Sequence, residues 1–209
     1  MFQTITWVSL SLVLAGIVVQ WLMSPRPRLA KGGAEKESGR FRWCCCRDDL
    51  GRLARLKRLG CTLALVSLFL LFVSGFSGRL LFGEQIHGYT LMLHVGLAPI
   101  FVICVGFVVI TWGQQCLLNE TDRQRLTSLL CLKKQEVADT PDLGWKLTFW
   151  LAAFLVVPVS LSMVLGMFPI FGTHGQETLH CLHQYTALAL TLTVLIHLHL
   201  LIRRKALCS

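Results

Sequence analysis

Seven histidines stand in a chain of 209 residues, and those inside long apolar runs are the side chains to read first, because an ionisable group in a membrane span is costly and marks function by default. His87 and His94 sit at the start of the third apolar run; seven steps of 100° leave them about 20° apart on one helix face. His183 and His197 lie on the fifth run. Fourteen steps leave them about 40° apart and roughly 21 Å apart along the axis. Two same-face histidines at that spacing suit two stacked haems. His199 is rotated by about 200° from His197 and is expected to pack or to meet lipid.

An internal repeat sharpens the pairing. Leu81-Phe82-Gly83 and Ile170-Phe171-Gly172 are offset by 89 residues, and eleven residues beyond each glycine stand His94 and His183. Each repeat reads as a helix running outward, a short outer turn and a helix running back. Two such units related by an axis along the membrane normal bring His94 and His183 to one depth from opposite sides, the geometry of bis-histidine haem ligation. The same offset carried back from position 197 reaches Val108, so the repeat gives His197 no mate.

The elements that must position these residues follow from composition. Hydrophobic residues make up 54% of the chain and charged residues only 15%, whereas soluble domains carry about 25% charged. Windows of about 20 apolar residues place five spans, at 2–23, 61–82, 90–112, 147–171 and 179–202. This predicts an all-α membrane protein with a four-helix haem-binding bundle, spans 2 to 5 within residues 61–205, plus one extra N-terminal helix. Residues 24–60 hold 11 Lys/Arg, residues 113–146 another 5, and Arg203, Arg204 and Lys205 follow the last span, so one side receives 19 of the 20 basic residues. The positive-inside rule then sets the N-terminus outside and the C-terminus in the cytoplasm. The net charge of +9 is thereby spent on orientation, and no nucleic-acid partner is expected. The first run lacks a basic n-region, which favours a retained helix over a signal peptide. Residues 52–59 alternate charge and leucine, as a surface amphipathic helix or a solvated lead-in to the second span would.

Cysteine chemistry is less informative. Cys44, Cys45 and Cys46 are adjacent, a poor geometry for one tetrahedral site, and Cys104 and Cys181 are isolated. No Cys-x-x-Cys-His occurs, which excludes covalent c-type haem attachment to this chain. No iron-sulfur cysteine pattern and no nucleotide motif is present either.

The segments Leu93-His94-Val95-Gly96-Leu97-Ala98-Pro99-Ile100-Phe101 and His183 through Ile196-His197-Leu198-His199 resemble the haem-binding helices of the cytochrome b subunits of membrane formate dehydrogenases and nickel-iron hydrogenases. The resemblance covers the second to fifth spans. It implies that His94 and His183 hold an outer haem b and that His197 is one ligand of an inner haem. The family's other inner ligand stands about 13 residues before a Ser-Gly or Thr-Gly pair. Here that pair is Ser74-Gly75, and the position is Cys61. Either Cys61 ligates, or the inner haem is five-coordinate, or only the outer haem is present. His87 is the alternative outer ligand, and Arg79 is the candidate partner of an outer propionate.

The expected function is that of a b-type cytochrome subunit in the bacterial inner membrane. It would carry electrons between quinone and an extracytoplasmic redox subunit, such as an iron-sulfur protein or a multihaem cytochrome. A haem-to-protein ratio nearer one than two is expected, with quinone sought near His87, Glu84, His180 and Gln184. The rival class is a haem-free membrane anchor of a larger complex.

Overall fold

The computed structural model describes residues 1–23, 51–83, 85–131, 143–168 and 170–208; the three adjacent cysteines and Glu84 lie outside them. Among the described residues every regular element is helical, as spans without water to satisfy backbone groups require. Helix α1 covers Phe2–Met23, α2 Arg52–Ser77, α3 Gly88–Trp112, α4 Glu120–Leu130, α5 Leu143–Gly166 and α6 Gly172–Cys208. Among the described residues five helices are long and apolar enough to cross a membrane: Phe2–Met23, Ala54–Leu81, Gly88–Cys116, Leu143–Gly166 and Gly172–Arg203. Their outward surfaces are apolar, with Ile103, Ile110 and Phe154 each at least 70% exposed. Such surfaces suit a lipid solvent.

The chain forms two compact units, Met1–Val108 with Ile202–Ser209, and Val109–Leu201. In the first, α2 and α3 pack antiparallel, and two glycines set their separation. A Cβ on Gly60 would stand 2.5 Å from Phe107 Cδ1, and one on Gly75 would stand 2.9 Å from His94 Cε1. Helix α1 leans on the far end of α2: the Phe2 ring lies 6.3 Å from Phe76, Thr6 is fully buried, and Gln3 Nε2 donates to the Leu80 carbonyl at 2.9 Å. Leu80 lies in a π-helical turn over Gly78–Phe82, closed by the Gly83 N–H bonding to Gly78 O. Gly83 ends that turn in the left-handed conformation, φ 73°, which glycine adopts without steric cost.

In the second unit α5 and α6 form the corresponding antiparallel hairpin. A Cβ on Gly144 would meet Leu200 at 3.4 Å and one on Gly166 would meet Gln176 at 3.8 Å, fixing the register at both ends. At the start of α5, Trp150 Nε1 donates to the Cys116 carbonyl at 3.0 Å. Gly172, equivalent to Gly83 in the repeat, is again left-handed, φ 62°. Gly83 precedes α3 by five residues, whereas Gly172 is the first residue of α6.

Several boundaries differ from those read in the sequence. Helix α6 begins at Gly172, seven residues before the expected fifth span, so His174 lies within it. Helix α5 begins four residues earlier than expected and ends at Gly166. Residues 52–59 continue directly into the second span within α2, which selects the lead-in over a separate surface helix. Residues 113–146 contain α4, whose Asp122 Oδ2 accepts the Asn119 N–H at 3.0 Å and the Lys146 ammonium at 2.5 Å. Asp122 and Lys146 are both buried. Lys146 thus belongs to an internal ion pair, not to the solvated charge of a loop.

Removing one member of a buried pair strands the other charge, at a cost of about 3–5 kcal/mol. Asp122→Ala should therefore lower the thermal midpoint of the detergent-solubilised chain markedly, and Asp122→Ala with Lys146→Met should recover most of the loss.

Candidate functional site

Three histidines on the spanning helices share one arrangement. Each brings Nδ1 within hydrogen-bond distance of a polar atom on the antiparallel neighbour in its own hairpin. His94, seven residues into α3, lies 2.9 Å from Ser74 Oγ on α2, with its ring against Gly75. His183 Nδ1 lies 3.0 Å from the Val159 carbonyl oxygen on α5. His197 Nδ1 lies 2.8 Å from Thr148 Oγ1, also on α5, and its ring stands 6.2 Å from that of Phe149.

A carbonyl oxygen only accepts, so His183 donates through Nδ1–H and, as a neutral ring, has its lone pair on Nε2. The hydroxyls of Ser74 and Thr148 can donate as well as accept. Each also lies within reach of a carbonyl of its own helix, Leu70 at 2.7 Å and Gly144 at 3.0 Å. A metal-ligating histidine commonly has the form of His183, with the second nitrogen bonded to a carbonyl or other acceptor that fixes ring orientation and raises ligand basicity.

Depth can be measured within each hairpin. Ser74 precedes the last residue of the π turn, Phe82, by eight positions, and Val159 precedes the last residue of α5, Gly166, by seven. At 1.5 Å per residue the acceptors lie about 12 Å and 10.5 Å below their helix ends. Along their own helices His94 is the seventh residue of α3 and His183 the twelfth of α6. Thr148 lies 18 residues before Gly166, so His197 is held near the opposite end of α5.

The other candidates stand differently. Helix α3 starts at Gly88, where φ is 58°, so His87 precedes the helix. The shared face expected for His87 and His94 does not exist. His87 is exposed, with Nδ1 3.1 Å from the Gln85 carbonyl. Arg79 lies in the π turn and Cys61 is half-buried on α2, beside the Gly60 contact with Phe107. His180 and Gln184 hydrogen-bond to one another at 2.9 Å along α6. Among the described residues no three His, Cys, Asp or Glu side chains converge as a metal-binding group; an axial haem pair needs only two ligands.

The hydrogen-bond acceptors are what sequence reading missed. Ser74 served only as a landmark for counting, and Thr148 and the Val159 carbonyl carry no signal that anticipates their role. Comparison with protein-family models, with curated proteins and with solved structures finds no match.

The tautomer assignment is open to direct measurement. Nitrogen-15 spectra of the histidine-labelled chain in detergent should show His183 protonated at Nδ1. Ser74→Ala should perturb the His94 pair of resonances and leave the other two unchanged.

Proposed function

We propose that the chain is an integral-membrane b-type cytochrome that carries electrons between the quinone pool and a redox partner docked on the extracytoplasmic face. The observation that carries this reading is the matched pair His94 and His183. Each is held eleven residues beyond a left-handed glycine, with Nδ1 tied to the neighbouring helix. A porphyrin iron takes one imidazole nitrogen from each side, and two imidazoles of fixed orientation are the donor set it would need. The residues fit the group. Haem b, when bound, supplies a one-electron carrier whose potential responds to axial ligands, burial and hydrogen bonding.

The chain's own side chains do the positioning. Ser74 and the Val159 carbonyl fix the two ring planes, and Gly75 provides the room that the His94 ring occupies. Arg79 stands at the same end of its hairpin as His94, where its guanidinium suits a propionate carboxylate. The resemblance to the cytochrome b subunits of formate dehydrogenases and nickel-iron hydrogenases supports the same assignment, with an iron-sulfur protein or multihaem cytochrome as partner. The distribution of basic residues supports a bacterial inner-membrane location with the N-terminus outside and the C-terminus cytoplasmic. The His180–Gln184 pair offers polar groups of the kind that a quinone carbonyl accepts from.

The test is haem content. The purified chain should contain haem that acid-acetone removes, since no covalent attachment motif is present. His94→Ala and His183→Ala should each abolish the bis-imidazole spectrum, because either change removes one of two opposed ligands; His87→Ala should retain it. A folded wild-type chain that takes up no haem would leave the haem-free anchor as the reading.

A further inference from the structure

The first two turns of α2 carry Arg52, Arg55, Lys57 and Arg58 ahead of the apolar span, and Arg52 and Arg55 are exposed. No Asp or Glu occurs between Arg52 and Gly83. The nearest acids before the helix, Asp48 and Asp49, lie outside the described residues. Gly51 at the N-cap makes no side-chain bond to the first turn, so the positive end of the helix dipole adds to the arginine charge instead of offsetting it. The charge calls for an anion.

The helix face that continues from these arginines decides which kind. At 100° per residue, Leu59, Leu63, Val66 and Leu70 fall within about 40° of the line through Arg52, and Arg55 stands about 60° to one side. All four apolar side chains are exposed, Leu59 by 54% and Val66 by 55%. The packed face lies in the other direction: Gly60, which meets Phe107 of α3, and the buried Ala64 and Ser67 are rotated by about 60° to 120° from Arg52. From Leu59 to Leu70 the stripe runs about 16 Å along the axis, and Arg55 stands about 6 Å beyond Leu59. One leaflet offers about 15 Å of hydrocarbon under a headgroup layer of about 5 to 8 Å. Stripe and cations thus match the two parts of one phospholipid.

We propose that this face of α2 binds an anionic diacyl phospholipid of the phosphatidylglycerol type, its phosphate held by Arg52 and Arg55 and an acyl chain lying along Leu59, Leu63, Val66 and Leu70. Guanidinium groups pair their N–H donors with phosphate oxygens. The apolar stripe alone accepts any lipid. The arginines select a headgroup with net negative charge over phosphatidylcholine, whose own quaternary ammonium balances its phosphate. The site requires that α2 span a membrane, as its length and apolarity allow, and is independent of haem.

The experiment is native mass spectrometry of the full-length chain in detergent, titrated with phosphatidylglycerol or with phosphatidylcholine of the same acyl chains. One phosphatidylglycerol should bind about thirtyfold more tightly than phosphatidylcholine, each of the two cations contributing about fivefold. Arg52→Gln with Arg55→Gln should remove that preference. Arg26→Gln with Arg28→Gln, an equal loss of charge in the basic segment before α2, should retain it. Glycerol phosphate, which offers the anion without the chains, should not displace the lipid at millimolar concentration.

A wild-type chain without preference between the two lipids would overturn the proposal, as would a preference that survives the change at Arg52 and Arg55 or one that is lost with Arg26 and Arg28. Displacement by glycerol phosphate would overturn it in favour of a free-phosphate site. Each outcome is read whether or not the chain carries haem, so failure here leaves the cytochrome reading standing. The wild-type titration and the glycerol phosphate competition decide the matter even where a variant fails to fold.

Discussion

A polar side chain on a membrane span has no water to bond to, so it must be satisfied by protein, and the nearest acceptors are carbonyls of its own helix. The hydroxyls obey this throughout. Ser67 bonds to Leu63 O, Ser74 to Leu70 O, Thr148 to Gly144 O, Thr191 to Ala187 O and Thr193 to Ala189 O. A hydroxyl that donates backward in this way still carries lone pairs on its oxygen. Ser74 and Thr148 each hold an imidazole from the next helix as well. One constraint, the absence of water, thus leads from helix hydroxyls to the orientation of the rings.

The hairpins supply the frame for these bonds. Close approach at Gly60 and Gly75 sets α3 against α2, and Gly144 and Gly166 set α6 against α5. Small residues at a membrane helix contact let backbones approach, which compensates for the missing hydrophobic drive between helices in lipid. Glycine at 75 does more than permit packing, since any Cβ there would take the space of the His94 ring. Pro99 and Pro158 lie inside α3 and α5 and are tolerated in spanning helices because neighbouring groups re-satisfy the freed backbone.

The sequence was most legible where periodicity and hydropathy decide. The first span matched α1 residue for residue, and the other four were found with ends shifted by up to nine residues. The shifts have a cause. Hydropathy marks where a chain becomes apolar, whereas helices continue into polar residues, as α2 does through its arginines and α6 does from Gly172 to Leu179. His87 was misplaced for a related reason. The 100° rule holds only inside a helix, and Gly88 at φ 58° breaks the chain between the two histidines compared. The acceptors were illegible because each depends on a register between helices. No local pattern at Thr148 encodes a partner 49 residues later.

Both hairpins present a histidine eleven residues beyond a left-handed glycine, yet the first pairs it with a hydroxyl and the second with a carbonyl that Ser162 Oγ also uses, at 2.9 Å. In a low-dielectric interior, hydrogen bonds polarise one another along a chain. The series of His94, Ser74 and the Leu70 carbonyl is one such chain, and the bond from His183 to Val159 is a direct one. Two imidazoles at equivalent places in the sequence therefore sit in different hydrogen-bonded surroundings, each set by a partner on the adjoining helix.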